Sequence, residues 1–437
     1  MFKGLRVLIG FMLLGILFGL ETPSYSSEER AIVGYGGVYT AGAGNNYPIY
    51  TRNKLRLATS VQKALGRMSQ ENKLPFSLIF ETDSEERKKE INTTYSLAVV
   101  LTRDDVAGEK FATPVATIYK SFVNVGLVVL IYQTERDSFA ENKEKNAIVF
   151  STPLVGYSMV TDGQKELSPA EADDLFIKTS LAVLEDHLSK RLAKISLGRI
   201  HGEVTDFQNG KALINAGSIQ GLVSRQNISF LRDNKKIASG TIDELRKSES
   251  IVRVKNPANT ATKGMRVYGE NIKGISDETY QVVEFRVSSP KILKLYQEKA
   301  LGAQISQWFS DFLVDRSGKV VFPPKVGGEW AAAATESSFA VLMKDGQEHI
   351  FEVPPPKYPI HLDLSGVASK RMESNNVNEI WVYKAWMRVE IPRRYSKEFS
   401  DQVPKKVIPG IQSYQEKDEV LDLIHNLCGK IAKEANL

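Results

Sequence analysis

Residues Gly198 to Glu270 read GRIHGEVTDFQNGKALINAGSIQGLVSRQNISFLRDNKKIASGTIDELRKSESIVRVKNPANTATKGMRVYGE. Short alternating runs of Val, Ile, Leu and Phe are broken roughly every eight to twelve residues by turn residues, the spacing of a small closed or nearly closed β structure. Asn209-Gly210 stands between Glu203–Phe207 and Lys211–Asn215. Both central positions of a two-residue hairpin turn need positive φ, which Asn and Gly adopt most readily. The stretch predicts a compact β-barrel, and the segments on either side read as mixed α/β.

The rest of the chain sets the compartment more clearly than the chemistry. Its 437 residues, 42% hydrophobic and 25% charged, suffice for several packed domains. A net charge of +5 spread along this length gives no nucleic-acid footprint. Lys3 and Arg6 precede an apolar run from Val7 to Leu20, followed by Ser24-Tyr25-Ser26. This is the pattern of a signal peptide cleaved after Ser26; an uncleaved N-terminal anchor is the alternative reading. Export to the periplasm or beyond is therefore expected, with membrane contact peripheral at most. The one cysteine, Cys428, has no internal disulfide partner and falls in an apolar helical pattern, which predicts burial.

In the first flank, Ile32–Tyr39 reads as a strand, and Thr51–Ser69 as a helix with Leu57, Val61, Leu65 and Met68 on one stripe. Phe76–Phe80 and Tyr95–Leu101 read as buried strands. Ala116–Tyr132 is long for one strand, and Asn124 and Gly126 suggest a bulge or bend there. Ser168-Pro169-Ala170-Glu171 is a capping box with proline at the first helical position, opening a helix to about Ala193. In the second flank, Tyr280–Val287 reads as a strand and Pro290 to about Val314 as a helix. Asp345-Gly346 marks a hairpin, and Glu379–Ile391 a strand with Trp381, Tyr383, Ala385, Met387, Val389 and Ile391 on one face. Ser413-x-x-Glu416 suggests a second capping box before the last helix. Both flanks thus run from an early helix through several strands to a terminal amphipathic helix, and both contain a Tyr-Lys strand, at Tyr119-Lys120 and Tyr383-Lys384. A structural duplication is one hypothesis; incompatible strand orders would exclude it.

Reactive constellations are sparse. The five histidines show no metal-ligand spacing, no Gly-x-Ser-x-Gly elbow occurs, and the glycines of 34–44 lack the lysine of a phosphate loop. Ser60-x-x-Lys63 and Ser288-x-x-Lys291 match a penicillin-recognising pattern without its companion motifs. No catalytic residue, cofactor or metal site is assigned. Candidate partner contacts are Arg52, Arg56, Lys63 and Arg67, on the basic faces of the first helix, together with Trp330 and Trp386, since Trp joins large apolar area to a donor. Solvation for the basic residues and core packing for the tryptophans are the plainer readings.

Val204, then Ala212-Leu213-Ile214-Asn215-x-Gly217-x-x-x-Gly221-Leu222, Ile228-Ser229-Phe230, Ile237-Ala238 and Ile251-Val252-Arg253-Val254 resemble the small β domain of the flagellar T-ring assembly protein family. That family continues Gly-Leu-x-x-Gly-Asp, whereas here Gly221-Leu222 is followed by Val223-Ser224-Arg225-Gln226. The resemblance implies an SH3-like barrel beside α/β domains related to those of TolB and the curli secretion channel. The expected fold is α+β and multidomain, with two mixed α/β units flanking a small SH3-like β-barrel. The expected parts are a signal peptide at 1–26, an α/β domain at 27–196, the barrel at 197–272 and a second α/β domain at 273–437. The expected function is non-enzymatic: an exported envelope or surface-appendage assembly or scaffold protein that contacts envelope proteins or itself, and no nucleic acid. Its rivals are a periplasmic ligand-binding protein or enzyme with a site built from distant residues, and a curli-type channel subunit. The last would need lipid-facing alternation, which Val125–Ile131 lacks.

Overall fold

A computed structural model of the chain describes residues 32–42, 47–80, 95–112, 117–136, 144–162, 165–193, 195–218, 222, 224, 226–232, 235–255, 262–273, 278–295, 298–317, 320–326, 339–374, 379–407 and 412–435. The expected signal peptide, residues 1–26, lies outside them. The fold is α+β, with a closed six-stranded barrel, a seven-stranded sheet and a five-stranded sheet.

The first sheet is built from β1 (Ile32–Ala41), β2 (Ser77–Ile79), β3 (Tyr95–Ala112), β4 (Thr117–Arg136) and β5 (Glu144–Asp162) in the order β2-β1-β3-β4-β5. β1 runs parallel to β2 and β3, and the remaining pairs are antiparallel. Helix α1 (Pro48–Gln70) connects β1 to β2, and α2 (Pro169–Leu192) follows β5. The α1 stripe Leu57, Val61, Leu65 and Met68 is buried, as its helical spacing predicts. The N-cap residue of α1, Tyr47, makes no side-chain cap. Asp104 of β3 supplies one instead: its Oδ2 accepts from the amides of Ile49 at 3.0 Å and Tyr50 at 2.9 Å. On α2 the capping box forms as read, with Ser168 and Glu171 bonding reciprocally.

The barrel comprises β6 (Ser196–Gln208), β7 (Lys211–Ile214), β8 (Asn227–Arg232), β9 (Lys235–Leu245), β10 (Ser250–Val254) and β11 (Arg266–Lys273), closed in the order β10-β7-β6-β11-β8-β9. Asn209 and Gly210 take φ of 52° and 75°, the paired positive values the β6–β7 turn requires. Inward-facing Val204, Ala212, Ile214, Phe230, Ile242, Val252 and Val267 form its own core. A Cβ on Gly217 would stand 2.5 Å from the carbonyl oxygen of Arg246 and 2.6 Å from that of Lys247. Only glycine lets the chain after β7 lie against the β9–β10 turn.

The second sheet draws on β12 (Thr279–Val287) and β13 (Val320–Val321), which are joined by α3 (Pro290–Leu295) and α4 (Glu298–Ser317). The helix expected over Pro290–Val314 is described on either side of residues 296–297, which lie outside the described residues. Between this pair of strands and the rest of the sheet lies a hairpin, β14 (Phe339–Lys344) and β15 (Gln347–Glu352), turned at Asp345-Gly346 as expected. The sheet is completed by β16 (Tyr358–Ser374), β17 (Glu379–Ile391) and β18 (Tyr395–Val407), and α5 (Gln412–Glu434) follows. Its order is β13-β12-β16-β17-β18, with β12 parallel to β13 and β16 and the other pairs antiparallel. Ser413 lies inside α5 rather than at its N-cap, and Glu416 accepts from Ser369 at 2.8 Å. The second capping box is corrected accordingly: the carboxylate reaches across to the sheet.

The two sheets therefore repeat one topology, down to their irregularities. Gly36 of β1 is skipped in the pairing with β3, and Val283 of β12 in the pairing with β16. One extra residue also enters the third strand of each, Thr102 opposite β4 and one of Leu364–Ser365 opposite β17. The bulge expected within Ala116–Tyr132 thus falls on the partner strand, opposite Gly126. Helix-facing residues match across the copies: Leu101 and Leu127 sit in one core, Leu364 and Met387 in the other.

The opposite faces differ. Hairpin β14–β15 falls within 273–437 by chain position, yet β15 pairs with β5 and β14 with β1, so that β1-β3-β4-β5-β15-β14 forms a closed circuit of pairings. Its interior is a second apolar cluster holding Tyr39, Ala98, Val100, Val128, Leu130, Leu342 and Phe351. Counted from the bulges, the positions of Tyr39, Ala98, Val100, Val128 and Leu130 are occupied in the second sheet by Arg286, His361, Asp363, Arg388 and Glu390. One sheet is buried on both faces, and the other leaves one face polar.

Candidate interaction surfaces

Three arginines and one lysine on the basic faces of α1 pair with carboxylates of neighbouring elements. Arg52 pairs with Asp173 at 2.7 Å, Arg56 with Asp174 at 2.6 Å, and Arg67 with Glu185, all on α2. Lys54 meets Asp345 of the β14–β15 turn at 2.9 Å. Cations spaced along one helix oppose anions along the other, and the ladder ties α1 to α2. Lys63 is exposed and forms no ion pair among the described residues. Trp330 lies outside the described residues.

Trp386 is partly exposed on the face of β17 opposite the buried stripe of Tyr383, Ala385, Met387 and Val389. It lies across Gly366 of β16, where a Cβ would be 2.9 Å from the indole Cε3. Lys384 sits over the ring, 4.9 Å from its centroid, a cation–π contact. The neighbouring rows, read from the register, are Ala368–Lys384–Gln402 and Lys370–Val382–Pro404, with Lys406 paired to Ile380 beyond them. Lys370, Lys384 and Lys406 form no ion pair among the described residues. Strand parity alone places Val382 and Lys384 beside Trp386; the lysines of β16 and β18 become neighbours only through sheet register.

Toward β12 the same face is electrostatically satisfied. Glu284 holds Arg286 at 2.5 Å and His361 at 2.6 Å, and Ser288 donates to Asp363 at 2.7 Å. The Arg286 bond, with His361 beside it, holds the Glu284 carboxyl below its usual range. Ser288 and Lys291 do not address one another: Lys291 reaches Ser369 and Glu416, both at 2.6 Å. A lysine ion-paired to a carboxylate is a poor general base, so the Ser-x-x-Lys spacing here ties α3 to β16 and α5.

Two further features carry titratable groups. A shallow cleft of about 250 Å³ between β18 and α5 is lined by Lys405, Glu419, Asp422, His425 and Asn426. His425 lies between the rings of Trp308 and Phe312, both 4.9 Å away, and burial lowers its pKa, keeping the imidazole neutral near pH 7. Arg191 of α2 is 5% exposed and crosses to the second unit's α4, meeting Asp311 at 2.6 Å and Asp315 at 3.0 Å, while its guanidinium also donates to Pro153 O. Burial raises the pKa of Asp311 against the pull of Arg191. Cys428 is fully buried in α5, and burial raises its thiol pKa, as its apolar helical setting predicts. Among the described residues no group of three or more His, Cys, Asp or Glu is placed to hold a metal ion. No described helix is long and apolar enough to cross a membrane.

The glycines of β1 serve packing. A Cβ at Gly36 would collide with the Tyr132 hydroxyl, and one at Gly37 would stand 2.9 Å from Lys344 Cε. Lys344 donates to the Gly36 carbonyl at 2.8 Å, binding the hairpin turn to the bulge. The roles of Asp104, Arg191, Lys370 and Lys406 are not legible in the sequence, because each depends on residues far away along the chain.

No family model matches the chain, and no curated protein matches it in sequence.

Proposed function

We propose that the protein is an exported, non-enzymatic assembly or scaffold component of a bacterial envelope or surface appendage, acting through protein–protein contacts. In this reading the six-stranded barrel is an SH3-like module between two duplicated α/β units, of the kind suggested by the resemblance to the flagellar T-ring assembly family. The matched strand order and bulges of the two sheets support duplication. The observation that carries the functional reading is the divergence of the copies. One sheet has both faces covered within the chain, whereas the other keeps a face on which lysines without an ion pair among the described residues surround a partly exposed tryptophan. A partly exposed tryptophan with lysines beside it fits a recognition surface.

Photo-crosslinking in intact cells tests the reading, with a crosslinking amino acid placed in turn at Ala368 beside Lys384, at Arg388, at Lys63 and at Tyr157, an exposed residue of β5. Adducts with defined envelope proteins, or between copies of the chain, are expected from at least one position. A chain recovered only as the uncrosslinked monomer from all four overturns it.

A further inference from the structure

The second sheet's outer face divides into two halves of different chemistry. Near β12 its charges pair with one another. Around Trp386, Lys370, Lys384 and Lys406 lie among Val382, Pro404 and the indole with no ion pair among the described residues. The register-equivalent position on the first sheet is Gly126, where Gln307 Nε2 of α4 comes within 3.1 Å of where a Cβ would stand. That place on the fold is already an interface in one copy; in the other it carries a large aromatic side chain, still partly exposed.

The edge beside this face is blunted against strand addition at two points. β18 pairs only with β17 among the described strands, but Pro404 lacks an amide donor, and Lys430 Nζ donates to the Ser400 carbonyl at 3.0 Å. A ligand is thereby directed onto the face of the sheet.

We propose that the Trp386 half of this face docks an acidic, extended polypeptide segment of a partner protein, with carboxylates on Lys370 and Lys384 and an apolar side chain against Trp386. Lys370 and Lys384 lie on adjacent strands one step of two residues apart, so their backbones are separated by about 8 Å. Alternate residues of an extended peptide are about 7 Å apart, which presents one carboxylate to each lysine. Lys384, held over the indole, joins the cationic and apolar parts of the surface. This inference rests on the assembly reading and names the chemistry of the partner.

The test uses the full chain and a dye-labelled dodecapeptide alternating Asp with Leu and Thr, followed by fluorescence anisotropy. Its Asn-for-Asp analogue and vesicles of phosphatidylglycerol serve as the other arms. The acidic peptide is expected to bind, more weakly as salt rises, and K370E/K384E is expected to weaken it by about tenfold or more with an unchanged circular dichroism spectrum. Trp386→Phe, which keeps a ring over Gly366, is expected to weaken both peptides alike. Equal binding of the acidic peptide by the K370E/K384E chain overturns the proposal. So does lysine-dependent binding of the vesicles without binding of the peptide. Crosslinks in cells from Lys63 or Tyr157 but none from Ala368 or Arg388 remove this docking surface and leave the assembly reading standing; no crosslinks anywhere remove both.

Discussion

Asp104 shows how one side chain couples two elements. It lies in the middle of β3, 4% exposed, and caps the first turn of α1, more than fifty residues earlier in the chain. Burial pushes its pKa up to about 7, against the pull of the two amide donors and of Arg52. Both amides bond to Oδ2, which leaves Oδ1 to carry the proton. The unfolded carboxyl titrates near ~3.9, so between about pH 4 and pH 7 the folded chain holds a proton that the unfolded chain has released. This contribution to stability is therefore full below about pH 4 and is lost as pH rises through about 7. Asp104→Asn, which keeps an acceptor and carries no charge, should flatten that slope in urea unfolding measured from pH 4 to 8. Asp104→Ala should cost ~1–2 kcal/mol through the lost cap. Arg191 is a second such residue. Replacing it by Met leaves Asp311 buried beside no cation, and a loss of about 3–5 kcal/mol in the same assay is expected; an unchanged midpoint would show that the ion pair contributes nothing net.

At the scale of elements, the different covering of the two sheets explains why their strands read so differently. Val125–Ile131 of β4 is an unbroken apolar run because its alternate residues enter two different cores, one under α1 and α2 and one beneath the β14–β15 hairpin. Glu379–Ile391 of β17 alternates because its outer face meets water. Reciprocal substitutions at the matched positions Val128 and Arg388 test this. Val128→Arg places a charge in the closed cluster with Tyr132 and Phe351 and should destabilise the protein by several kcal/mol, on the order of 3 or more. It should also open residues 339–352 to proteolysis. Arg388→Val on the open face should change stability by about 0.5 kcal/mol or less. Equal effects in chemical denaturation would contradict the assignment of the two faces.

For the whole molecule, the hairpin makes the first sheet depend on a distant part of the chain. A fragment ending at residue 273 keeps β1–β5 and the barrel, but it lacks β14, β15 and the α4 surface that meets Arg191. Tyr39, Val100, Val128 and Leu130 would then face water, and the fragment should bind a hydrophobic dye and aggregate where the full chain does not. The barrel alone, residues 196–273, closes its own pairing and holds its own core, and should fold as an isolated domain with cooperative thermal unfolding. A monodisperse, dye-silent fragment of residues 32–273 would show that the hairpin is dispensable to the first sheet.

Local chemistry made much of this legible in the sequence. Asn209-Gly210 and Asp345-Gly346 specified their turns because positive φ is a property of the residues themselves. Ser168 to Glu171 specified the start of α2 because a capping box closes within one turn. Leu57 to Met68 and Tyr383 to Ile391 named their buried faces through period alone. Tertiary structure decided what depends on pairing at a distance: that three arginines of α1 are spent on α2, and that Asp104 serves as a cap. It also decided that the glycine and bulge near residue 126 stand on opposite strands, and that the hairpin of 339–352 completes a sheet begun at residue 32. Gly198–Glu270 could be read as a barrel from its own residues because its strands pair among themselves. The flanking sheets could not be assembled in the same way, since nothing local in a strand records which distant segment will cover its second face.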